Sequence, residues 1–343
     1  MTTASLYHGF TMRFNAKGVE MTREIASIIR ANEAGRALQD FLADRFTYHT
    51  ADEWMCRIAE GRVRVNGHTA TPDRILSVGD HLRYDASDIP EPPVDCTFRI
   101  LIDDPLLLVI DKPGNLPCHP GGRYFRHTLW ALLQTQCGLA HPVFVNRIDR
   151  ETSGLVLIAK TPEAGRNLAR QFAGGRVTKT YTVLVEGMFP ERVEARGWLH
   201  PDPDSAVRKK RRFSPAPAGS AAPGDAAEWS ETVFERERVC DGFSVVTARP
   251  RTGRLHQIRA TLLSLGFPVV GDKLYGVDEQ CFLRFCSGGL TERDRARLRM
   301  GRQALHAVRL AFRHPHFGTP TDVDAPLPSD MEALIGGHAQ ACL

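Results

Sequence analysis

The sequence contains no apolar run that is long enough to cross a membrane. Its longest apolar stretches, such as residues 106 to 110, are far shorter than the ~20 residues of a spanning helix. Residues 1 to 20 also lack the continuous apolar segment of a signal peptide. The 8 cysteines are scattered along the chain, which is not the spacing of a disulfide framework. We therefore expect a cytoplasmic protein with no membrane partner.

Motifs of several enzyme classes are missing as well. Cys281 and Cys286 lie close together, but no second pair or histidine cluster completes a zinc site. None of the 13 histidines begins a His-x-Glu motif, which argues against a zinc-dependent base deaminase. The phosphate-binding Gly-x-x-x-x-Gly-Lys loop and the dinucleotide-binding Gly-x-Gly-x-x-Gly motif are also absent. We expect a function that needs neither a metal nor a cofactor.

The composition is that of a globular protein with a slight excess of positive charge. Hydrophobic residues make up 42% of the 343 residues and charged residues 24%, and the length allows two domains. The formal net charge of +4 is compatible with a polyanionic partner but does not require one. A basic run at residues 208 to 212 precedes a loop rich in Pro, Ala and Gly. Such a run is either a solvated, mobile segment or a contact for phosphate groups.

Residues 31 to 85 are predicted to form a small domain, preceded by an extension of residues 1 to 30. Leu38, Phe41 and Leu42 have helical spacing, and a second helix is predicted around Trp54. The Asn-Gly pair at residues 66 and 67 follows an alternating segment and predicts a hairpin. Two helices followed by a small hairpin sheet resemble an S4 RNA-binding domain. A small docking or folding module is the alternative.

The S4-like resemblance implies a basic face that binds RNA. From Glu33 to Asp85, however, the segment has 7 arginines against 9 acidic residues, a net charge of −2. Binding would therefore depend on how individual arginines cluster and not on the overall charge. The candidate residues are Arg36, Arg57, Arg62 and Arg64.

The rest of the chain is predicted to be an α+β domain. Residues 86 to 96 are rich in proline and are predicted to be a linker, followed by a catalytic domain at residues 97 to 320 and a C-terminal tail at 321 to 343. Strand patterns dominate this domain, at residues 98–102, 107–112, 177–186, 243–249 and 304–312. Helices are predicted at residues 127–136 and 162–172. Runs of strands with inserted helices indicate a mixed, largely antiparallel sheet.

One loop carries a carboxylate between two arginines. Residues 155 to 159 are short, apolar and β-branched, which predicts a buried strand. The loop before this strand places Asp149 between Arg147 and Arg150. Because nearby positive charge favours the ionised form of a carboxyl, Asp149 is expected to be charged, as a carboxylate nucleophile must be. A surface loop of ion pairs beside a core strand is the alternative.

A second charged residue is predicted on a helix. Leu255, Ile258, Leu262 and Leu265 form one apolar stripe at helical spacing, and Gly266 is predicted to end the helix. Arg259 lies at the border of this stripe, where a partly buried guanidinium needs an anion. The alternative is a surface arginine whose aliphatic stem covers the apolar stripe.

Four segments together resemble one enzyme family. The order Arg-Ile-Asp-Arg-Glu-Thr-Ser-Gly at residues 147 to 154, followed by an apolar strand and Lys160, resembles the catalytic motif of the RluA family of RNA pseudouridine synthases. Asp-Lys-Pro-Gly at residues 111 to 114, Lys-Thr-Tyr at 179 to 181 and the segment 251 to 259 match further motifs in the family's order. The family usually has His where this chain has Asn146. The resemblance implies the pseudouridine synthase fold with a central catalytic cleft.

The resemblance also implies roles for individual residues. Asp149 would be the nucleophile, attacking the uridine at C1′ or C6 or assisting a glycal-type route. Tyr181 would pack against the everted base and could relay a proton. Arg259 would pair with Asp149 and keep it ionised. Contacts to the RNA are implied for Arg147, Arg150, Arg254 and His256, in addition to Arg36, Arg62 and Arg64 of the S4-like domain.

The substrate class that follows is structured RNA, bound by a protein that is a monomer by default for this family. The S4-like domain favours rRNA, whereas Gly122-Arg123-Tyr124 resembles the subgroup that acts on tRNA. Two other functions stay open at this point: an RNA-binding protein without turnover, and a nucleosidase-type hydrolase of glycosidic bonds.

Overall fold

The computed structural model describes residues 23–46, 48–276 and 278–337 of the chain. These residues form two compact units. The first contains residues 23–93 together with the short loop 120–126, and the second contains residues 94–119 and 127–337. Loop 120–126 therefore belongs to the first unit and not to the predicted catalytic domain.

In its described part, the first unit has four strands and two helices. They are β1 (Glu24–Ile28), α1 (Leu38–Arg45), α2 (Ala51–Ala59), β2 (Val63–Val65), β3 (His68–Thr69) and β4 (His81–Asp85). The strands form an antiparallel sheet in the order β1-β4-β2-β3. Asn66 and Gly67 join β2 to β3 with φ angles of 56° and 84°, the left-handed pair that a tight hairpin turn requires. The predicted hairpin lies at this position.

The first unit begins earlier and ends later than the predicted domain. β1 pairs along its length with β4, so residues 24 to 28 are part of the sheet and not of an extension. The inward-facing Ser27 and the outward-facing Ile28, which is 57% exposed, hide the alternation that marks a strand. Ala86 and Ile89, predicted to lie in the linker, are buried in the core of this unit. The other residues of the predicted extension, 1 to 22, lie outside the described residues.

The second unit contains the long sheet and six helices among the described residues. Its elements are β5 (Arg99–Asp103), β6 (Leu107–Lys112), α3 (Leu129–Cys137), β7 (Val143–Phe144), β8 (Ser153–Ala159), α4 (Pro162–Ala173), β9 (Thr178–Glu186), β10 (Arg192–Pro201), β11 (Arg211–Pro215), β12 (Glu228–Cys240), β13 (Phe243–Pro250), α5 (Gln257–Ser264), α6 (Gln280–Cys286), α7 (Glu292–Leu298), β14 (Leu305–Arg313), β15 (Pro320–Asp324) and α8 (Ser329–Gly337).

Eleven of these described strands form one mixed, largely antiparallel sheet, which confirms the predicted fold class. The order is β11-β10-β12-β13-β9-β14-β8-β6-β5, with β15 on β14 and β7 on β8. Only β8 and β14 run parallel among these described strands, pairing Ser153 with His306 and Gly154 with Ala307. Gly154 has φ 105°, and a Cβ there would lie 2.3 Å from the Ala307 carbonyl oxygen. Glycine is therefore required where the two strands approach.

β8 and its neighbours form the core that supports the loop before β8. All seven residues of β8 are buried, as the sequence predicts for residues 155 to 159.

α5 begins at Gln257, so Leu255 lies outside the helix and is 42% exposed. The predicted stripe was wrong at that position, because His256 at φ 56° interrupts the helical backbone. Ile258 and Leu262 are buried as predicted.

Residues 320 to 337, most of the predicted tail, are folded. β15 pairs with β14, and α8 places Met331 in a core cluster with 0% exposure. Leu334 and Ile335 pack against the same cluster, so Met331, Leu334 and Ile335 have the spacing of a helix face that the prediction of a tail overlooked.

Candidate active site

The loop that carries Asp149 is tied to β8 by Asn146. The side-chain oxygen Oδ1 of Asn146 accepts a hydrogen bond from the backbone N–H of Leu157 at 2.7 Å. The side-chain nitrogen Nδ2 donates to the backbone carbonyl of Leu155 at 3.3 Å. A short side chain with both a donor and an acceptor thus satisfies two backbone groups of the strand. Asn146 therefore anchors the loop, where the family usually has His.

The backbone carbonyl groups of Ile148 and Arg150, on either side of Asp149, accept hydrogen bonds from the segment 112–118. The Arg150 carbonyl accepts the Leu116 N–H at 3.0 Å and the Lys112 ammonium at 3.2 Å. The Ile148 carbonyl accepts the Cys118 thiol at 3.4 Å. Lys112 is fully buried, and burial lowers its pKa to about 8. These contacts explain the position of the segment 112–118 beneath the loop.

The carboxylate of Asp149 meets α5 across the sheet. Arg259 Nη1 donates to Asp149 Oδ2 at 2.7 Å, and Gln303 Nε2 lies 3.4 Å from the same oxygen. The Asp149 side chain remains 27% exposed, so one side of it is open. A charged group that is held but not covered can meet a substrate atom.

The pKa of Asp149 is lowered from 3.8 to about 2. Burial alone raises it, but His256, the Arg259 charge and the hydrogen bonds from Arg259 and Gln303 outweigh burial. Burial also lowers the pKa of His256 to about 4, so this ring is neutral at pH 7 and the permanent positive charge is that of Arg259. The carboxylate is ionised, as predicted. Its main cationic partner is Arg259 of α5, the pairing that the family resemblance implies, whereas the local sequence pattern pointed to Arg147 and Arg150.

Arg259 is itself held by a buried acid. Its Nε and Nη2 donate to Asp272 Oδ2 and Oδ1 at 2.6 and 2.9 Å, a bidentate pair that leaves Nη1 for Asp149. Asp272 has 0% side-chain exposure and also accepts the backbone N–H groups of Leu274 and Tyr275. The Tyr275 ring lies 4.8 Å below the guanidinium. Three partners thus fix the direction in which Arg259 points.

His256 completes this side of the site. Its Nε2 lies 3.8 Å from Asp149 Oδ1, and its Nδ1 is 2.8 Å from the Tyr275 hydroxyl. Its left-handed backbone at φ 56° is a strained conformation for a residue other than glycine. Sequence reasoning placed His256 among the RNA contacts, and the structure places it beside the carboxylate.

Tyr181 lies on β9, partly buried between two core clusters. Its partner residues in the sheet are Ala248 on β13 and Ala307 on β14. Burial first, and then the nearby Asp149 carboxylate, raise the pKa of the phenol. Tyr181 therefore keeps its proton at neutral pH.

The two arginines that flank the carboxylate differ in their exposure. Arg147 is exposed, and Arg150 pairs with Glu151 at 2.9 Å while its guanidinium lies 5.1 Å from the Phe285 ring centre. The two carboxylate oxygens of Glu151 also accept hydrogen bonds from Lys273 Nζ, at 2.9 and 3.0 Å. Arg254 pairs with Glu228 at 3.3 Å and donates to the Trp229 carbonyl.

Arg302 links the catalytic loop to the last helix. Its Nη1 donates to the Glu151 carbonyl at 3.1 Å, and its Nε and Nη2 donate to Asp330 of α8 at 2.6 and 2.8 Å. The side chain is 8% exposed and packs on Gly114, where a Cβ would lie 2.3 Å from Arg302 Cδ. Arg302, Gln303, Asp272 and Tyr275 were missed as site residues, because each meets the loop only through long-range folding.

The predicted arginines of the first unit are mostly neutralised. Arg36 pairs with Asp44, and Arg62 pairs with Glu60 at 2.9 Å and with Asp88 at 3.2 Å. Arg57 shares the same Asp88 at 2.8 Å. Arg64 lies on the exposed face of the small sheet, opposite Arg83 of β4.

No group of three or more His, Cys, Asp or Glu among the described residues is placed to hold a metal ion. None of the helices at residues 23–46, 48–276 and 278–337 is both long and apolar enough to span a membrane.

Comparison with known proteins gives a consistent family. A family model described as RNA pseudouridylate synthase matches residues 106–264. A protein of Zymomonas mobilis named ribosomal large subunit pseudouridine synthase D is 32% identical over 262 residues, which cover 72% of this chain and 77% of that protein. The mitochondrial tRNA pseudouridine(32) synthase of Saccharomyces cerevisiae is 31% identical over 264 residues, covering 76% of this chain but 54% of the yeast protein.

A solved human structure supports the fold. The protein named RNA pseudouridylate synthase domain containing 4 superimposes with a TM-score of 0.54 at 21% identity, covering 69% of this chain and 91% of the human chain. The sheet, the order of the motifs and the sequence relatives agree with one another. The chain belongs to the RNA pseudouridine synthases, in the RluA-type group that its motifs predict, and is thereby an isomerase.

Proposed function

We propose that Asp149 is the nucleophile with which this enzyme isomerises uridine in structured RNA to pseudouridine. The observation that carries the proposal is the chain of contacts from Asp272 through Arg259 to Asp149. A buried acid orients a buried guanidinium, which in turn holds a partly exposed carboxylate in its charged form. Such pre-organisation fits a nucleophile that must attack without first losing a proton.

The reaction breaks the bond from C1′ to N1 and forms one from C1′ to C5. The uracil turns between these two steps, C5 loses its proton and N1 gains one, so no oxidant or cofactor is consumed. Asp149 attacks C1′ or C6, or assists a glycal-type route; all three use the same ionised oxygen. The uridine must leave its stack to reach that oxygen, at a cost of a few kcal/mol.

Tyr181 offers a face on which the everted base can stack. Base stacking on an aromatic ring contributes about 1–3 kcal/mol, enough to offset much of the cost of extrusion. Because the phenol is protonated at neutral pH, it relays the C5 proton only by releasing its own proton in the same event. We propose that Arg147, which is exposed on the loop beside Asp149, helps to displace the target base or binds phosphate.

The RNA substrate that we propose first is rRNA. The relative named for the large ribosomal subunit is covered over 77% of its length, whereas the tRNA enzyme of yeast is covered over 54%. tRNA is the second substrate to be tested. We further propose that the first unit binds RNA through Arg64, and that Arg254 and Arg150 approach the RNA strand. We also propose that the enzyme is a cytoplasmic monomer.

The Asp149→Asn variant tests the proposed function. RNA labelled with tritium at C5 of uridine releases tritium when pseudouridine forms, because C5 loses its hydrogen. We expect the variant to release no tritium while its affinity for the RNA stays nearly that of the wild type, since the amide has the same size. Gln303→Leu is the matched control, because it removes a contact to Asp149 and keeps the carboxylate. Full tritium release by Asp149→Asn would end the assignment.

A further inference from the structure

The basic run of residues 208 to 212 is built into the second unit and is not a free segment. It closes the connection from β10 to β11, where Pro201 pairs with Arg211. The Lys210 N–H bonds to the Val207 carbonyl at 2.8 Å, forming a turn with Arg208 and Lys209 at its corner. Val207 packs against the main core cluster. The positions of these cations are therefore defined by the fold.

Two of the five cations are neutralised by acidic neighbours. Lys210 pairs with Glu279 at 2.6 Å and with Asp202 at 3.7 Å. Arg212 pairs with Asp202 and Asp204, both at 2.6 Å. Ser205 donates to the same Glu279 carboxylate at 2.9 Å. These contacts account for the acidic residues around the run.

The other three cations have no acidic partner among the described residues. Arg208 and Lys209 are exposed, and Arg211 is half-buried on β11. Arg211 and Phe213 lie on the same side of β11, and Phe213 is in the core cluster that also contains Ile258 of α5. A half-buried guanidinium without a carboxylate is unusual, since buried charges are normally paired. An anionic ligand would supply the missing partner.

The segment that carries these cations is linked to the catalytic carboxylate through two side chains. The backbone N–H of Arg211 donates to the Tyr275 hydroxyl at 2.8 Å, that hydroxyl is 2.8 Å from His256 Nδ1, and His256 Nε2 is 3.8 Å from Asp149 Oδ1. After burial and the nearer charges of Asp149, Arg259 and Asp272, the Lys209 ammonium is among the causes that shift the pKa of His256. The uridine that reaches Asp149 thus brings its own phosphates to Lys209 and Arg211.

We propose that Lys209 and Arg211, with Arg208 beside them, form a binding site for the RNA phosphates that flank the target uridine. This inference rests on the proposed function, because the uridine must reach Asp149 for its phosphates to lie there. The site gives the enzyme a grip on the backbone that does not depend on the base sequence. It also pulls on the strand where the base must be extruded.

Salt dependence tests the proposal directly. Each phosphate contact contributes a slope in log Kd against log salt of about 0.7 for a single strand and about 0.9 for a duplex. Removing two contacts with Lys209→Ala/Arg211→Ala should lower the slope by about 1.5. Between 50 and 200 mM KCl, the Kd of the wild type should then rise roughly ten-fold more than that of the double variant. The probes are the RNA on which the wild type releases tritium and a labelled 20-nucleotide oligouridylate.

Arg212→Ala is the matched control. It removes the same charge from the adjacent residue of β11, but that guanidinium is already paired with Asp202 and Asp204. We expect its slope to stay within about 0.3 of the wild type, and thermal unfolding of each variant shows that it is folded. Equal slopes for the double variant and Arg212→Ala would overturn the phosphate site.

The position of the site is tested with modified RNA. Methylphosphonate linkages on both sides of the target uridine remove the two phosphate charges. At 50 mM KCl, we expect the wild type to bind this RNA about ten-fold more weakly than it binds unmodified RNA. The double variant should bind the modified and the unmodified RNA equally well. An equal loss in both proteins would place the cations away from the target. If the wild type released no tritium from any RNA, the proposed function would fail, whereas the oligouridylate slopes would still decide whether these cations bind phosphate.

Discussion

The Arg259→Gln substitution tests whether the charge of Asp149 depends on its buried arginine partner. A carboxyl with a pKa of about 2 in place of 3.8 has its ionised form favoured by ~2 kcal/mol. Burial acts in the opposite direction, so loss of the Arg259 charge and hydrogen bond should raise the pKa above 3.8. Gln303, at 3.4 Å, is too weak a donor to replace them.

The assay is the single-turnover rate of tritium release between pH 4 and pH 8. The active form is the carboxylate, so activity is lost as the pH falls through the pKa of Asp149. The wild type should show no acid limb from this group above pH 4, because its pKa is about 2. Arg259→Gln should show a limb above pH 4 that falls about ten-fold per pH unit.

Stability gives a second readout of the same shift. A lowered pKa adds stability above pH 3.8 that is lost as the pH falls towards about 2. As the pH falls from 3.8 towards about 2, the free energy of unfolding in urea should therefore fall by ~2 kcal/mol less in Arg259→Gln than in the wild type. The substitution also leaves Asp272 without its partner, which costs about 3–5 kcal/mol.

Arg259→Lys keeps the positive charge, and its acid limb should stay near that of the wild type. A flat profile for Arg259→Gln down to pH 4 would refute the reasoning.

Three further predictions concern other parts of the chain. Tyr181→Phe should lower the single-turnover rate at least about 100-fold with unchanged RNA affinity, because it keeps the ring and loses the proton relay. Tyr181→Leu should also weaken RNA binding by about 1–3 kcal/mol, because it removes the ring. A fully active Tyr181→Phe variant would exclude the relay. Met331→Ala should lower the free energy of urea unfolding by about 2–5 kcal/mol, since Met331 is fully buried; a loss under about 1 kcal/mol would mean that α8 is not part of the core. Deleting residues 1 to 90 should weaken binding to long structured RNA more than it slows the chemical step; a collapse of chemistry with intact binding would make the first unit a catalytic scaffold.

Local pattern was sufficient for much of the fold. The Asn-Gly hairpin, the buried strand β8 and the helix that begins at Pro162 follow from turn chemistry, apolar runs and helix-start signals of a few neighbouring residues. β1 was not predictable in this way, because its inward positions include Ser27, whereas α8 has an apolar face of Met331, Leu334 and Ile335 that the prediction of a tail overlooked. The parallel pairing of β8 with β14 joins residues more than 150 positions apart, which no local pattern encodes.

The same limit applies to the site. The motif around Asp149 and the helical position of Arg259 indicated a carboxylate and a guanidinium that needs an anion. Their contact joins residues 110 positions apart, and Asp272 is recognisable as a partner only once α5 and the following turn are folded. The local pattern pointed to the adjacent arginines as the source of positive charge, and only the family resemblance pointed to Arg259, which supplies it from α5.

The contact between Arg302 and Asp330 has a consequence for the order of events in synthesis. The loop that carries Asp149 is translated nearly 200 residues before the acid that secures its Arg302 tether. Until α8 has been synthesised and has docked, a nascent chain therefore has the nucleophile but not the complete support beneath it. Activity should appear only once α8 docks, and proteolytic nicking before residue 330 should leave a chain that binds RNA without modifying it efficiently.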